Sequence, residues 1–442
     1  METIYAYLKN ALRELLLLRK QSPPLLVLLV VLLTIPLSYA INSIAMGLFA
    51  VTTLFYVKNS NLKIDKALSP LIVLYLLMAL SLLWSHDLNA SIKAISKELP
   101  LLIFALSFMT FSSFDESKKQ IVLKYYSFGM FFYMVYFLTK AVIRFIITRD
   151  SSVFFYHDLV SEDLNAIHVS VYMSVAFFYF YSKETRSKFA SIIAFLLAIF
   201  IFLLSSKNIV VVFVLLFVVF EFFYSKKQLK RKKAVVGLFV IASIFLLFSS
   251  KIKERFLVEW KSNKSENTSI GKALKTEEVN NISVYQAWTQ DKFKQNDYFA
   301  GTAFRVYQIR IFKEMLEEDT IIFTGYGLNA SHFRIKEKGQ EHTVFSGDAT
   351  YDGYQNKNFH NQYVQIFAET GIFGLLSLFL IVSLNLIKAI KSKDFVHISF
   401  AVLMISLFLT ESFLSRQRGV VFFAVLFCVF NAKDSSKPIT KK

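Results

Sequence analysis

His360 opens the run HNQYVQIFAETGIFG, residues 360–374, where a polar stretch gives way to a long apolar one. An imidazole titrates near neutral pH, so a histidine at the threshold of an apolar helix suggests chemistry at a water–lipid boundary. The plainer alternative is a histidine that only anchors the helix end. Arg416 and Arg418 form a second candidate set, in the short polar stretch ESFLSRQRG. Two arginines there suit an anion, with simple pairing to Glu411 as the alternative. Lys207 stands in the four-residue turn SSKN, 205–208, between two apolar runs, either facing whatever lies between the helices or as an ordinary interfacial lysine. His168, in NAIHVSVYM, begins another apolar run and is read as a buried or interface histidine, with a substrate role as the alternative. The acidic loop 149–166 holds His157 and Asp158, too few ligands at defined spacing for a metal site.

The elements that must position these groups are helices in a bilayer. The chain has 442 residues, 55% of them hydrophobic and 48 of them Phe, and the apolar residues fall in blocks. About 20 apolar residues cross the hydrocarbon core as a helix, so the expected fold is an all-α polytopic membrane protein. Spans are expected near 24–40, 41–57, 68–84, 98–113, 121–146, 167–182, 188–204, 209–224, 234–250, 361–387, 395–411 and 419–431, about twelve in all. Residues 1–23 read as an interfacial helix whose basic residues, with the apolar run Pro24–Ala40, form a signal anchor that is not cleaved, and 85–97 as a separate small amphipathic helix carrying Lys93 and Lys97. Three regions follow: 1–250 with nine spans, a loop domain 251–359 containing a helical piece Ala303–Glu317, and 360–442 with three spans and a tail.

A net charge of +18 raises nucleic acid as a partner, and its distribution argues against it. The basic residues concentrate in alternate connectors, KNSNLKIDK, SKKQLKRKK, KAIKSKD and the tail KDSSKPITKK, whereas the long loop is nearly balanced. That is the positive-inside pattern, with both ends of the chain in the cytoplasm and the large loop outside. The single cysteine, Cys428, permits no internal disulfide and no paired-cysteine metal or redox motif.

His360, Asn361, nine residues, Gly371, two residues and Gly374 together resemble the signature of the O-antigen ligase family, which shares a superfamily with the O-antigen polymerases. FRVYQIRIFKEM followed by TIIFTGYGLN is similar to that family's arginine-bearing loop helix and Gly-x-Gly turn, setting Arg305, Gly325 and Gly327 on the matching positions. The similarity runs in order over about 165–430, and the earlier part matches only in hydropathy. Two departures are visible: Lys207 stands where members often carry arginine, keeping the charge without the bidentate fork, and a tryptophan common after the loop arginine is missing.

The resemblance implies a glycosyltransferase of the bacterial inner membrane, its site facing the periplasm, that moves a glycan from undecaprenyl diphosphate to a sugar hydroxyl of lipid A-core. Arg305 and Lys207 would grip the diphosphate as charge develops on it, with Arg416 and Arg418 in reserve. His360 would be the base that activates the hydroxyl, helped by the positive end of the helix it opens, and Asn361 or Gln362 would orient the acceptor or the ring. Direct displacement inverts the anomeric centre, and with no Asp-x-Asp motif the reaction is expected to need no metal and no cofactor. Gly371 and Gly374 are read as close-packing positions inside a span. An O-antigen polymerase of the same superfamily is the nearest rival. A lipid-linked sugar transporter is a more distant one, because no internal repeat is visible.

Overall fold

Apolar blocks punctuated by Pro, Gly and short polar turns fold as helices, since a backbone away from water must satisfy its own hydrogen bonds. The computed structural model describes residues 4–56, 64–111, 114–161, 163–183, 187–247, 280–349 and 352–432. Most of the first basic connector, residues 248–279 at the start of the loop domain, and the tail from 433 lie outside the described residues. The first half comprises α1 (Ile4–Gln21), α2 (Pro23–Thr34), α3 (Tyr39–Tyr56), α4 (Ser69–Leu80), α5 (Leu88–Thr110), α6 (Glu116–Thr148), α7 (Tyr156–Leu159), α8 (Ala166–Tyr181), α9 (Lys188–Leu203), α10 (Lys207–Val219) and α11 (Leu229–Leu247). Among the described residues, four helical stretches, Tyr39–Tyr56, Glu116–Thr148, Lys207–Tyr224 and Gln362–Ser392, are long and apolar enough to cross a membrane. Shorter apolar helices cover Pro23–Thr34, Ser69–Trp84, Ala166–Tyr181, Lys188–Leu203, Phe395–Phe408 and Gln417–Asn431.

The loop domain contains β1 (Asn280–Ile282), α12 (Val284–Thr289), β2 (Asp297–Phe299), α13 (Gly301–Glu318) and α14 (His332–Glu341). The bundle then resumes with α15 (Gln362–Ser392), α16 (Phe395–Phe408) and α17 (Gln417–Asn431). The two strands pair in parallel, Asn280 opposite Asp297 and Ile282 opposite Phe299, so the expectation of an all-α fold is corrected by this one small sheet. A parallel pair needs a crossover, and α12 supplies it.

Two helices are apolar all round and are enclosed by the others. Along α8 and α17 nearly every residue is buried, as expected of central helices. Around them α5 packs on α17, α6 on α8, α10 on α16, and α15 on both α4 and α16. The outer helices turn large apolar side chains outward, among them Leu54, Phe55, Phe132, Ile147 and Phe223. Such a surface is stable against lipid and prone to aggregate in water.

Residues 85–97 do not form a separate helix. Asp87 caps α5 by accepting from the Ala90 N–H, and one helix runs from Leu88 to Thr110 through Pro100. The second-last span is also shorter than expected: α16 ends at Phe408, which leaves Glu411 beyond it, before α17.

Gly371 has a different task from the one expected. Gly371 takes φ 69° and ψ −167°, a conformation no helix contains, and it divides α15 in two. A Cβ there would stand 2.2 Å from the Phe323 carbonyl oxygen, so only glycine fits. The break frees backbone groups for the Gly-x-Gly turn: Tyr326 and Gly327 donate N–H groups to the carbonyls of Ala368 and Glu369 at 2.8 and 2.9 Å, and Ile372 N–H reaches the Ile322 carbonyl at 2.8 Å. Gly325 and Gly327 both have positive φ, and a Cβ on Gly325 would meet the Glu369 backbone at 2.4 Å. Gly325 and Gly327, with Gly371 distant from them in sequence, thus form one backbone junction between the loop domain and the bundle. Ala368 accordingly belongs to the loop domain's own apolar core, with Tyr307, Ile311, Tyr326 and Phe359.

Candidate active site

Helix α13 buries Ala303, Phe304, Tyr307, Ile311 and Met315 along one stripe, which places Arg305 on the adjoining face. Its guanidinium reaches across to the turn after α16. Nε donates to the Thr410 carbonyl at 2.8 Å, Nη2 to Glu411 Oε1 at 2.9 Å, and Nη1 back to the Gly301 carbonyl at 3.0 Å. Five N–H groups in a rigid fork allow this and leave two more for a ligand.

His360 meets the same carboxylate from the other side, with Nδ1 3.5 Å from Glu411 Oε2. The residue holds a left-handed backbone, φ 47°, just before the helix. Histidine tolerates that region better than most side chains. Asn361 then caps α15, its Oδ1 accepting from Tyr363 N–H at 3.0 Å and Val364 N–H at 3.1 Å, while its Nδ2 donates to the Leu409 carbonyl at 3.3 Å. The cap and the left-handed residue together aim the imidazole. Phe304 of α13 closes one side, edge-on to the ring at 5.5 Å between centroids. The imidazole is 30% exposed, which leaves it open to a substrate, whereas the Glu411 side chain is 10% exposed.

Burial raises the pKa of Glu411, but the contact with His360 and the charges of His360 and Arg305 outweigh it and hold the carboxyl below its ordinary value. It is therefore a carboxylate at neutral pH, able to orient the imidazole and stabilise it once protonated. Cation, imidazole and carboxylate form a triad assembled from three segments far apart in sequence.

The remaining candidates divide. Lys207 is the first residue of α10 and is half-buried. Its neighbour Asn208 donates to the Ser406 carbonyl at 2.9 Å and to Thr410 Oγ1 at 2.8 Å. Thr410 thus links the Lys207 turn to the Arg305 anchor. His168 is buried, its ring 4.5 Å from that of Phe413. Gln362 is buried and accepts the Leu414 N–H at 2.7 Å, so its amide ties α15 to the turn before α17.

Arg416 is exposed and stands at the N-terminus of α17. Arg418 is buried and committed to backbone: Nε and Nη2 donate to the Leu37 carbonyl at 3.2 and 2.7 Å, Nη1 donates to the Asp163 carbonyl, and the guanidinium lies 4.2 Å from the Tyr39 ring. The alternative in which Glu411 pairs with these two arginines is corrected here, because Arg305 and His360 hold that carboxylate. Among the described residues, no group of three or more His, Cys, Asp or Glu side chains is arranged to hold a metal.

Asn208 is the member of the site that sequence reasoning passed over, and Glu411 entered it only as an alternative partner for Arg416 and Arg418. Each had a signal: Glu411 is an acid at the edge of an apolar run, and Asn208 is an amide beside a candidate lysine.

These observations define a helical membrane protein with a titratable base, a cation and a carboxylate gathered where its loop domain meets its bundle. The family model described as O-antigen ligase matches residues 192–380, from α9 into the second half of α15. The match includes Arg305, Gly325, Gly327, His360 and Gly371, and it stops before Glu411. No curated protein matches the chain. Over that part the chain is similar to the O-antigen ligase family, within a superfamily of ligases and polymerases whose members are glycosyltransferase-like enzymes.

Proposed function

We propose that the protein transfers a glycan from undecaprenyl diphosphate to a sugar hydroxyl of lipid A-core at the outer face of a bacterial inner membrane. What carries the reading is that a base and a cation meet on one buried carboxylate, His360 and Arg305 on Glu411. Nδ1 of His360 faces Glu411, so Nε2 is the atom that takes the acceptor proton as the hydroxyl attacks the anomeric carbon. The leaving diphosphate gathers negative charge, which the two remaining N–H groups of Arg305 and the ammonium of Lys207 stabilise. One displacement inverts the anomeric centre, and the base needs no metal to activate a sugar hydroxyl. Nine crossings ahead of the loop domain, counted from a cytoplasmic start, would put it on the outer side, in keeping with basic connectors on the opposite face.

The test uses cells lacking the gene, complemented with wild type, His360→Ala or Arg305→Ala at matched protein levels, with the lipopolysaccharide ladder and the carrier-linked glycan both read on gels. Restoration by wild type alone, with long carrier-linked glycan accumulating in the deleted strain, is the expected result. Accumulation of a single carrier-linked repeat unit would instead make the protein a polymerase. Full ladders from either variant would remove the proposed site.

A further inference from the structure

A cavity of about 460 Å³ is lined in part by the Gly-x-Gly turn. Its walls are aromatic. Trp84, at the end of the short 3-10 turn after α4, donates its indole N–H to the Thr324 carbonyl at 2.9 Å and remains 41% exposed. His86 stacks on Phe333 at 5.7 Å and stands edge-on to Tyr326 at 5.5 Å. The polar groups converge on one arginine: Arg334 donates Nε to Asp319 Oδ2 at 2.9 Å, Nη1 to Glu337 Oε2 at 2.5 Å, and Nη2 to Glu318 Oε2 at 2.8 Å. The Tyr326 hydroxyl donates to the same Asp319 oxygen at 2.5 Å.

We infer that this cavity is a glycan subsite, binding one or more sugar rings of a substrate at a distance from the reacting bond. Flat apolar C–H faces of a pyranose pack on aromatic rings, while its hydroxyls need fixed acceptors and donors at the rim. The cavity offers both. Arg334 clamps Asp319 and Glu337 by one oxygen each, so their second oxygens are held in place to accept from hydroxyls. Three carboxylates against one guanidinium make it a poor site for a diphosphate, which sets it apart from the Arg305 cluster.

Its position fits a sugar chain continuing away from the reaction. The Gly-x-Gly turn that forms one wall is bonded to the carbonyls of Ala368 and Glu369. Ala368 lies about 9 Å along the helix from Gln362, at about 1.5 Å per residue.

The inference rests on the glycan-transfer reading above, and both sources of sugar share this chemistry: the core oligosaccharide of the acceptor and the carrier-linked glycan. Direct binding separates them. Full-length protein in detergent, wild type and His360→Ala, is titrated calorimetrically with lipid-free core oligosaccharide and, separately, with lipid-free polymeric glycan, both released by mild acid from the host's own lipopolysaccharide. One of the two is expected to bind both proteins equally, and the one that does names the source. Phe333→Ala and Glu337→Gln, the latter at an exposed carboxylate and conservative in shape, should each weaken that binding about fivefold or more. Binding unchanged in both variants, or no binding by either oligosaccharide, overturns the subsite. If binding behaves as expected but His360→Ala transfers glycan as well as wild type, the reading of the active site falls and the subsite stands.

Discussion

Replacing Glu411 by Gln keeps the shape of the side chain at the centre of the cluster and removes its charge. Two contacts change. The bond from Arg305 Nη2 at 2.9 Å becomes charge-to-neutral, and since bonds to charged partners contribute about 1.5–3 kcal/mol against about 1 for neutral ones, the loss is about 1–2 kcal/mol. The His360 contact at 3.5 Å is longer than a good hydrogen bond, so what vanishes there is mainly charge stabilisation of the imidazolium. An ion pair at that range is worth at most about 4 kcal/mol at an effective dielectric of about 20. With the ring 30% exposed, we take about 1–2 kcal/mol of it. The barrier should therefore rise by about 2–4 kcal/mol, a fall in kcat/KM of about 30- to 1000-fold at 1.36 kcal/mol per decade. The assay is glycan transfer in proteoliposomes with carrier-linked donor and lipid A-core acceptor, rates normalised to folded protein. Glu411→Asp, which keeps the charge on a shorter stem, should recover part of the loss. A Glu411→Gln rate within about threefold of wild type would refute the idea that this carboxylate supports base and cation together.

Other outcomes follow from the same geometry. Arg305→Lys can reach only one of the three acceptors the guanidinium holds, so transfer should fall about tenfold to a hundredfold although the charge remains, read as kcat/KM. Gly371→Ala places a Cβ 2.2 Å from the Phe323 carbonyl in a backbone with positive φ; it should cost about 3 kcal/mol or more, seen as a clear drop in thermal midpoint in detergent. Asn361→Ala removes the α15 cap and should cost about 1 kcal/mol, with the activity loss larger than the stability loss because the cap also sets the His360 backbone. The depressed pKa of Glu411 gives a pH signature. Its folded value lies below its unfolded one, so it contributes stability above the ordinary carboxylate range and loses it as pH falls through the depressed value. The stability gap between wild type and Glu411→Gln should therefore be constant near neutral pH and close under strong acid; a gap that widens on acidification would contradict the assignment.

Apolar blocks and basic connectors made the helical bundle legible, because the length of a span and the sign of a loop are local properties of the chain. The apolar blocks around α8 and α17 could be placed, but their enclosure by other helices could not, since a helix apolar on every face looks the same against lipid as against protein. His360 and Arg305 could be singled out by residue type and motif spacing, and the Gly-x-Gly turn by its glycines. The purpose of those glycines was hidden, because Gly371 inside an apolar run reads as helix until the Phe323 backbone is seen against it. For Glu411 the sequence offers only an alternative pairing with nearby arginines, since neighbours in sequence are the natural guess for an ion pair. Only the tertiary structure brought α13, the start of α15 and the end of α16 to one point. The reason is physical: sequence determines which groups can titrate, carry charge or break a helix, whereas a carboxylate's partners depend on which surfaces the packing of distant segments leaves face to face.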